Sequence, residues 1–282
     1  MKRYSNSLFA FLSSLLLFSG CNSSEVIYSG EEYVMFADSV MVLPIQTKDS
    51  IFEIALGVTT ASGQDRTFAV EVMENRSKAI EGVHYEMLSH NVIIKAGERS
   101  GKVQLRGIYD NIGDSDSLYV RLKVVADKNL KWSMYPDEIS INFVKCRPFH
   151  LDDYVGNMRL YASFPFGDQM EVHPVMSEKW DEKTLIIKEP YAKNYDMVIK
   201  FDDSDPLDPQ ITIASHIAFI DANYGKIYAR TVAQSPSYFD AYRQMLMCAV
   251  EFYIPGVGSF GVQKFVFQWI TPEQAELDKN GI

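Results

Sequence analysis

The side chains best suited to holding a ligand in this chain are aromatic. Trp180 sits in Ser177-Glu178-Lys179-Trp180-Asp181-Glu182-Lys183. An indole among charges has no continuous apolar neighbourhood to enter, so it is expected exposed on a turn between strands. A flat exposed ring can stack on the C–H face of a sugar, with Asp181 or Lys183 bonding the hydroxyls. Trp132 and Tyr135, in Lys131-Trp132-Ser133-Met134-Tyr135-Pro136, form a second set. Tyr238, Phe239 and Tyr242 form a third, in a loop or a turn of helix. The competing reading of each set is a packing anchor over the end of a β-sandwich. Trp269 lies in the apolar run Val262 to Ile270 and is expected in a core.

Carboxylates offer less. Asp110-Asn111-Ile112-Gly113-Asp114-Ser115-Asp116 and Asp202-Asp203-Ser204-Asp205-Pro206-Leu207-Asp208 are acidic clusters. Calcium takes about six to eight oxygen ligands, often from one loop. Neither cluster fits an EF-hand loop, and both read first as solvated turns, so a metal stays open. Glu171 and His173 alternate on one strand face, but acid/base chemistry on a glycoside needs a second carboxylate that nothing in the sequence places. His-Glu-x-x-His, Gly-x-Ser-x-Gly and Cys-x-x-Cys do not occur. No catalytic residue and no cofactor is therefore assigned. Gly256-x-Gly258-x-x-Gly261 matches a dinucleotide fingerprint by letters only. A strand-like run, Val262-Gln263-Lys264-Phe265, follows it where a helix is required, so these are hairpin glycines.

Composition narrows the class. The 282 residues carry 37 Asp and Glu against 27 Lys and Arg, a net charge of −10 that disfavours a phosphate backbone as partner. Hydrophobic residues make up 47%, enough to bury a core. Aromatics at 13% with only 5 His favour a β-rich binding protein over a histidine-ligated metal enzyme. Three cysteines exclude a disulfide scaffold. Cys146 and Cys248 are expected as unpaired, buried thiols.

The N-terminus carries an address. Met1-Lys2-Arg3 is basic, and Leu8 to Phe18 is an apolar run. The run is too short to cross a bilayer, which takes about 20 residues, and suits the h-region of a signal peptide. Phe18-Ser19-Gly20-Cys21 resembles a bacterial lipobox. The resemblance implies a signal peptide over 1–20 and lipidation of Cys21 as the first mature residue. It also implies a tether over 21–25 and stable anchoring to a membrane by acyl chains. Glu25 resembles part of a surface-export signal of Bacteroidota lipoproteins. The expected location is the cell envelope, as an outer-membrane lipoprotein, with the choice between surface and periplasmic face left open.

The elements that must position the aromatics are strands. Phe52 to Leu56, Phe68 to Val72, Val103 to Arg106 and Leu118 to Val124 alternate apolar and polar residues, separated by Gly, Asn and Asp. Ile139 to Val144 closes this block, and Arg147-Pro148 breaks the pattern. A domain over 26–147 is expected to be an immunoglobulin-like sandwich. A second over 148–282, with about eight strand-like runs, is expected to be another sandwich or a closed up-and-down barrel. Thr271-Pro272-Glu273-Gln274 reads as the start of a short C-terminal helix. The fold class is all-β.

Ala79-Ile80-Glu81-Gly82-Val83-His84-Tyr85, Val92 to Glu98 and Lys102 to Leu105 together resemble a Calx-beta-type immunoglobulin-like sandwich. That implies tight turns at Gly82 and Gly97 and a core aromatic at Tyr85. The whole arrangement resembles uncharacterised two-domain surface lipoproteins of Bacteroidota that accompany SusC/SusD-like glycan uptake. It implies a non-enzymatic protein that binds a glycan or serves outer-membrane uptake. The alternatives are an adhesion module for an outer-membrane protein partner and, less favoured, a glycoside-processing enzyme.

Overall fold

The computed structural model describes residues 30–48, 50–163 and 170–280. The signal segment, Cys21 and the tether to Glu25 lie outside the described residues.

The first nine strands are β1 (Val34–Phe36), β2 (Val40–Ile45), β3 (Ile51–Val58), β4 (Arg66–Val72), β5 (Tyr85–Met87), β6 (Asn91–Ile94), β7 (Ser100–Gly107), β8 (Leu118–Val125) and β9 (Glu138–Lys145). They form two sheets, in the orders β1-β3-β7-β5 and β2-β9-β8-β4-β6. Period two does the work. Ile54, Leu56 and Val58 of β3, Val103 and Leu105 of β7, Val120, Leu122 and Val124 of β8, and Ile139, Ile141 and Phe143 of β9 all face one core. Tyr85 is fully buried and stacks on Phe143 at 5.6 Å. Gly82 and Gly97 take φ of 77° and 84°, the left-handed turn geometry expected of them. Strand β2, absent from the sequence reading, runs parallel to β9 at the sheet edge. That edge tolerates Pro44, which lacks a ladder donor.

The next ten strands are β10 (Gly156–Ser163), β11 (Met170–Asp181), β12 (Thr184–Ala192), β13 (Tyr195–Asp202), β14 (Gln210–Ile213), β15 (His216–Asp221), β16 (Gly225–Thr231), β17 (Tyr238–Asp240), β18 (Met245–Ile254) and β19 (Gly258–Trp269). They run antiparallel in one sheet. The sheet order β17-β14-β13-β12-β11-β10-β19, with β18 pairing both β17 and β19, closes an eight-stranded barrel. The choice left open between sandwich and barrel is thus decided for the barrel. Hairpin β15–β16 joins the second half of β18, through Tyr228↔Tyr253 to Thr231↔Val250. Leu160, Ile187, Ile199, Val250, Phe265 and Phe267 fill the interior. Gly256, at φ 75°, turns β18 into β19, as hairpin glycine chemistry requires.

Helix α1 (Pro272–Lys279) starts on a full capping box: Thr271 Oγ1 accepts from Gln274 N, and Gln274 Oε1 accepts from Thr271 N. Arg159 of β10 holds it to the barrel, donating from Nε and an Nη to the two Asp278 carboxylate oxygens at 2.7 Å each. The guanidinium keeps the Asp278 carboxyl below the usual carboxylate range. A carboxyl depressed by folding contributes stability above its unfolded pKa and loses it as the pH falls through the folded one. The tie is therefore expected intact at neutral pH and lost on acidification below the ordinary aspartate value. Hydrogen exchange of the α1 amides checks this. Asp278→Ala should exchange at pH 7 as fast, relative to intrinsic rates, as the wild type does in acid. Equal protection in both proteins at pH 7 would dismiss the tie.

Candidate functional site

The end of the barrel that faces the sandwich is plugged by the chain between β9 and β10. Leu151 and Tyr154, on a turn of 3-10 helix, are buried there. Ser177 Oγ of β11 donates to the Tyr154 carbonyl at 2.6 Å, and Arg147 pairs with Asp153 at 3.1 Å. The ring of Phe149 lies 5.0 Å from both Phe201 and Phe239, and 6.0 Å from Tyr154. Four aromatic rings thus form a rigid floor.

Above that floor lies a cavity of about 310 Å³. Gln46, Cys146 and Arg147, at the ends of β2 and β9, line it from the sandwich side. Asp203, Tyr238, Asp240 and Tyr242 line it from the barrel side. Alternation along β17 sorts its residues: Phe239 turns into the barrel core, while Tyr238 is 42% exposed. Asp240 Oδ1 accepts from the backbone N–H of Tyr242 (2.9 Å) and of Arg243 (3.0 Å), an Asx turn that sets Tyr242 in place. Tyr242 Oη donates to the Lys145 carbonyl at 2.9 Å, bridging barrel and sandwich. Burial first, then the charge of Asp114, pushes this hydroxyl up to about 12, so it stays a donor at neutral pH. Lys183 pairs with Asp203 and lies 4.9 Å from the centre of the Phe149 ring. Burial, followed by Asp205, raises the Cys146 thiol above its ordinary value, which keeps it protonated and unreactive.

Of the three aromatic sets, one meets at the cavity. Tyr238 and Tyr242 line it, with Phe239 in its floor. They stand on a short strand and the turn after it, not on a helix. Trp180 is 66% exposed, as expected, but it lies outside the cavity lining. It belongs to the end of β11 and not to a turn: the β11–β12 register shifts between Lys179 and Asp181, which leaves Trp180 as a bulge. Trp132 and Tyr135 pack with Tyr33 at the opposite end of the sandwich. Trp269 is half-buried, not in the core. It ends β19, and its indole N–H donates to the Val155 carbonyl at 3.0 Å.

The acidic clusters spend their oxygens on turns. Asp116 accepts from Gly113 N, Asp202 from Ser204 N and Asp205 from Leu207 N. Asp110 pairs with Lys48. Among the described residues no three metal-ligating side chains converge. Cys146 and Cys248 are free and buried, as expected. Gln46, Arg147 and Asp240 were not marked as site residues in the sequence, and Asp203 was marked only within an acidic cluster that reads first as a solvated turn. Asp240 alone had a local signal, since an aspartate two residues before Tyr242 suits an Asx turn.

No family model and no curated protein matches the chain. Solved structures do align with it. A Bacteroides ovatus protein of unknown function aligns at 11% identity and a TM-score of 0.37, over 83% of this chain and 89% of that one. An auxiliary nutrient binding protein from Bacteroides thetaiotaomicron aligns at 14% and 0.29, over 82% and 89%. The apo Calx CBD1 domain aligns at 9% and 0.33, over 41% of this chain and 98% of the domain. Likeness of this order assigns no ligand, and the site's own chemistry carries the functional reading.

Proposed function

We propose that this chain is a carbohydrate-binding accessory protein of the cell envelope, non-enzymatic, whose ligand sits in the junction cavity. The observation that carries the reading is the pairing of exposed tyrosine rings with planar polar groups around one concavity. Tyr238 and Tyr242 offer apolar faces, and Gln46, Asp203 and Asp240 offer hydrogen-bond partners for hydroxyls. The charges around the cavity are matched: Asp203 pairs with Lys183, Asp240 with Arg243 and Arg147 with Asp153. With every cation engaged, a neutral sugar fits the cavity better than an acidic one, which would need a cation of its own. The lipobox-like Phe18-Ser19-Gly20-Cys21 supports anchoring through Cys21 at the outer membrane.

Isothermal titration with neutral oligosaccharides tests the site. An aromatic face contact is worth roughly 1–1.5 kcal/mol, so Tyr238→Ala should weaken binding about tenfold. Its exposure means the melting temperature should stay within a degree or so of the wild type. Unchanged affinity in Tyr238→Ala and in Asp240→Asn would remove the cavity from the reading.

A further inference from the structure

The far end of the sandwich carries a second aromatic assembly, separate from the junction. Tyr33 lies 5.3 Å from Trp132 and 5.9 Å from Tyr135 between ring centres, and Trp132 meets Tyr135 edge-on at 5.2 Å. The backbone holds these rings in place. Tyr33 N donates to Thr59 Oγ1, Tyr135 N to the Trp132 carbonyl, and Phe36 N to the Pro136 carbonyl, each at 2.9 Å. Rings in mutual contact leave no gap for an ammonium group, so they do not form a cation cage. They present an outer face instead: Trp132 is 42% exposed.

A polar cleft adjoins this face, lined by Asp38, Ser39, Ser133, Tyr135, Asp137 and Glu138. Asp137 and Glu138 are braced by Lys131 and Lys123, at 3.2 Å each, and Arg76 holds Glu138 at 2.8 Å. Asp38 is exposed at the mouth. An immobilised indole beside carboxylates and hydroxyls is the combination that takes a pyranose: C–H face on the ring, hydroxyls on the oxygens. Lys131, Lys123 and Arg76 are spent on Asp137 and Glu138, and Asp38 adds a further negative charge. The cleft lining thus offers no cation to an anionic headgroup or a uronate, and the chemistry favours a neutral sugar.

Topology sets the spacing. Asp38 and Ser39 precede β2, and Gln46, just past its end, lines the junction cavity. Tyr135 precedes β9, and Lys145, its last residue, accepts the Tyr242 bond at the junction. Both strands run from one site to the other, and eight strand residues span about 25 Å. We propose that the Trp132 end of the sandwich is a second contact for a neutral polysaccharide, about 25 Å from the junction cavity, so that one protein grips one polymer at two places. The ligand class rests on the carbohydrate reading above; the residues are independent of it.

Native gels cast with amylopectin, laminarin or galactomannan test the proposal on the full chain, with polygalacturonate as the acidic control. Three variants enter: Trp132→Ala, the junction variant Tyr238→Ala/Asp240→Asn, and both combined. Asp38→Ala, an exposed change, guards against a folding effect at Trp132. At least one neutral polymer should retard the wild type and, more weakly, the junction variant. Adding Trp132→Ala or Asp38→Ala to that variant should abolish the residual retardation. Wild type should bind more than about tenfold tighter than either single-site variant, since the second contact forms at high effective concentration. Several results would overturn the second site. They are no retardation of the wild type or of the junction variant, indifference to Trp132→Ala, retardation by polygalacturonate alone, or loss only of binding to phosphatidylethanolamine vesicles. The opposite pattern, in which Trp132→Ala abolishes retardation and the junction variant binds normally, would instead remove the junction cavity and keep this site.

Discussion

Phe239→Ala is expected to unfold the barrel far more easily while barely touching the sandwich. Phe239 is 3% exposed, and its ring lies 5.0 Å from Phe149, 5.3 Å from Phe201 and 6.1 Å from Tyr154. Truncation removes a buried aromatic and leaves a void among three rings fixed by their own backbones. The floor cannot collapse to fill it, so the cost should fall at about 3–5 kcal/mol. For a unit of this size that lowers the melting temperature by roughly 10–20 °C. Calorimetry resolves where the loss falls. The buried residues form two separate clusters, one spanning Val34 to Phe143 and the other Leu151 to Phe267. If the sandwich and barrel unfold independently, only the barrel transition moves. A shift of the entire endotherm would mean that the junction couples them. The adjacent Tyr238→Ala, one position along the same strand, should leave stability nearly intact. A change under about 1 kcal/mol for Phe239→Ala would show that the plug is not packed as described.

The same alternation that separates Tyr238 from Phe239 made most of the fold legible. Runs such as Leu118 to Val125 bury every second residue, and nothing but a half-buried strand has that period. The helix at Pro272 was legible because its cap is chemical: Thr, Pro and Gln each act at one defined position. Strand β2 was not. Pro44 argues against a strand, and only the edge position and parallel partner β9 make it acceptable. Barrel closure was equally hidden. A sandwich and a barrel show the same period, and closure depends on β10 pairing with β19, from Met158↔Trp269 to Ala162↔Phe265. No local signal encodes that long-range register.

The site was legible in part for a related reason. An aromatic run flanked by polar residues marks Tyr238 and Tyr242, but it equally marks Trp180, which is exposed and yet outside the cavity. Exposure is a property of one residue and its flanks. A concavity is a property of several segments, and here Gln46, Arg147, Asp203 and Tyr242 arrive from four of them. The approach of Arg147 depends on Leu151 and Tyr154 plugging the barrel, because that plug brings the chain leaving β9 down against the floor. Pro148 was read as a break in pairing. In the structure the residues after it are packed and bonded, with Arg147 held to Asp153.

Gly101→Ala should be among the most damaging single changes in the sandwich, although Gly101 carries no unusual φ. A Cβ built there would lie 2.6 Å from the Ile93 carbonyl oxygen and 2.7 Å from Val92 Cγ1. The first is backbone and cannot rotate away. Gly101 lies near the start of β7, opposite Leu56 of β3, and β6 crosses close over it from the other sheet. Glycine is needed for close approach of two strands, not for a turn. The added methyl must push β6 off and strain its pairing with β4, from Arg66↔Ile94 to Ala69↔Asn91. Overpacking of this kind costs about 1–3 kcal/mol, so the melting temperature should fall by roughly 5–10 °C. Gly63→Ala is the matched control, since a Cβ there meets nothing within 4 Å. It should be neutral or slightly stabilising, because alanine restricts the unfolded chain. Chemical denaturation of the two variants decides the matter: equal midpoints would show that the sheets do not approach at Gly101 as closely as the structure has them.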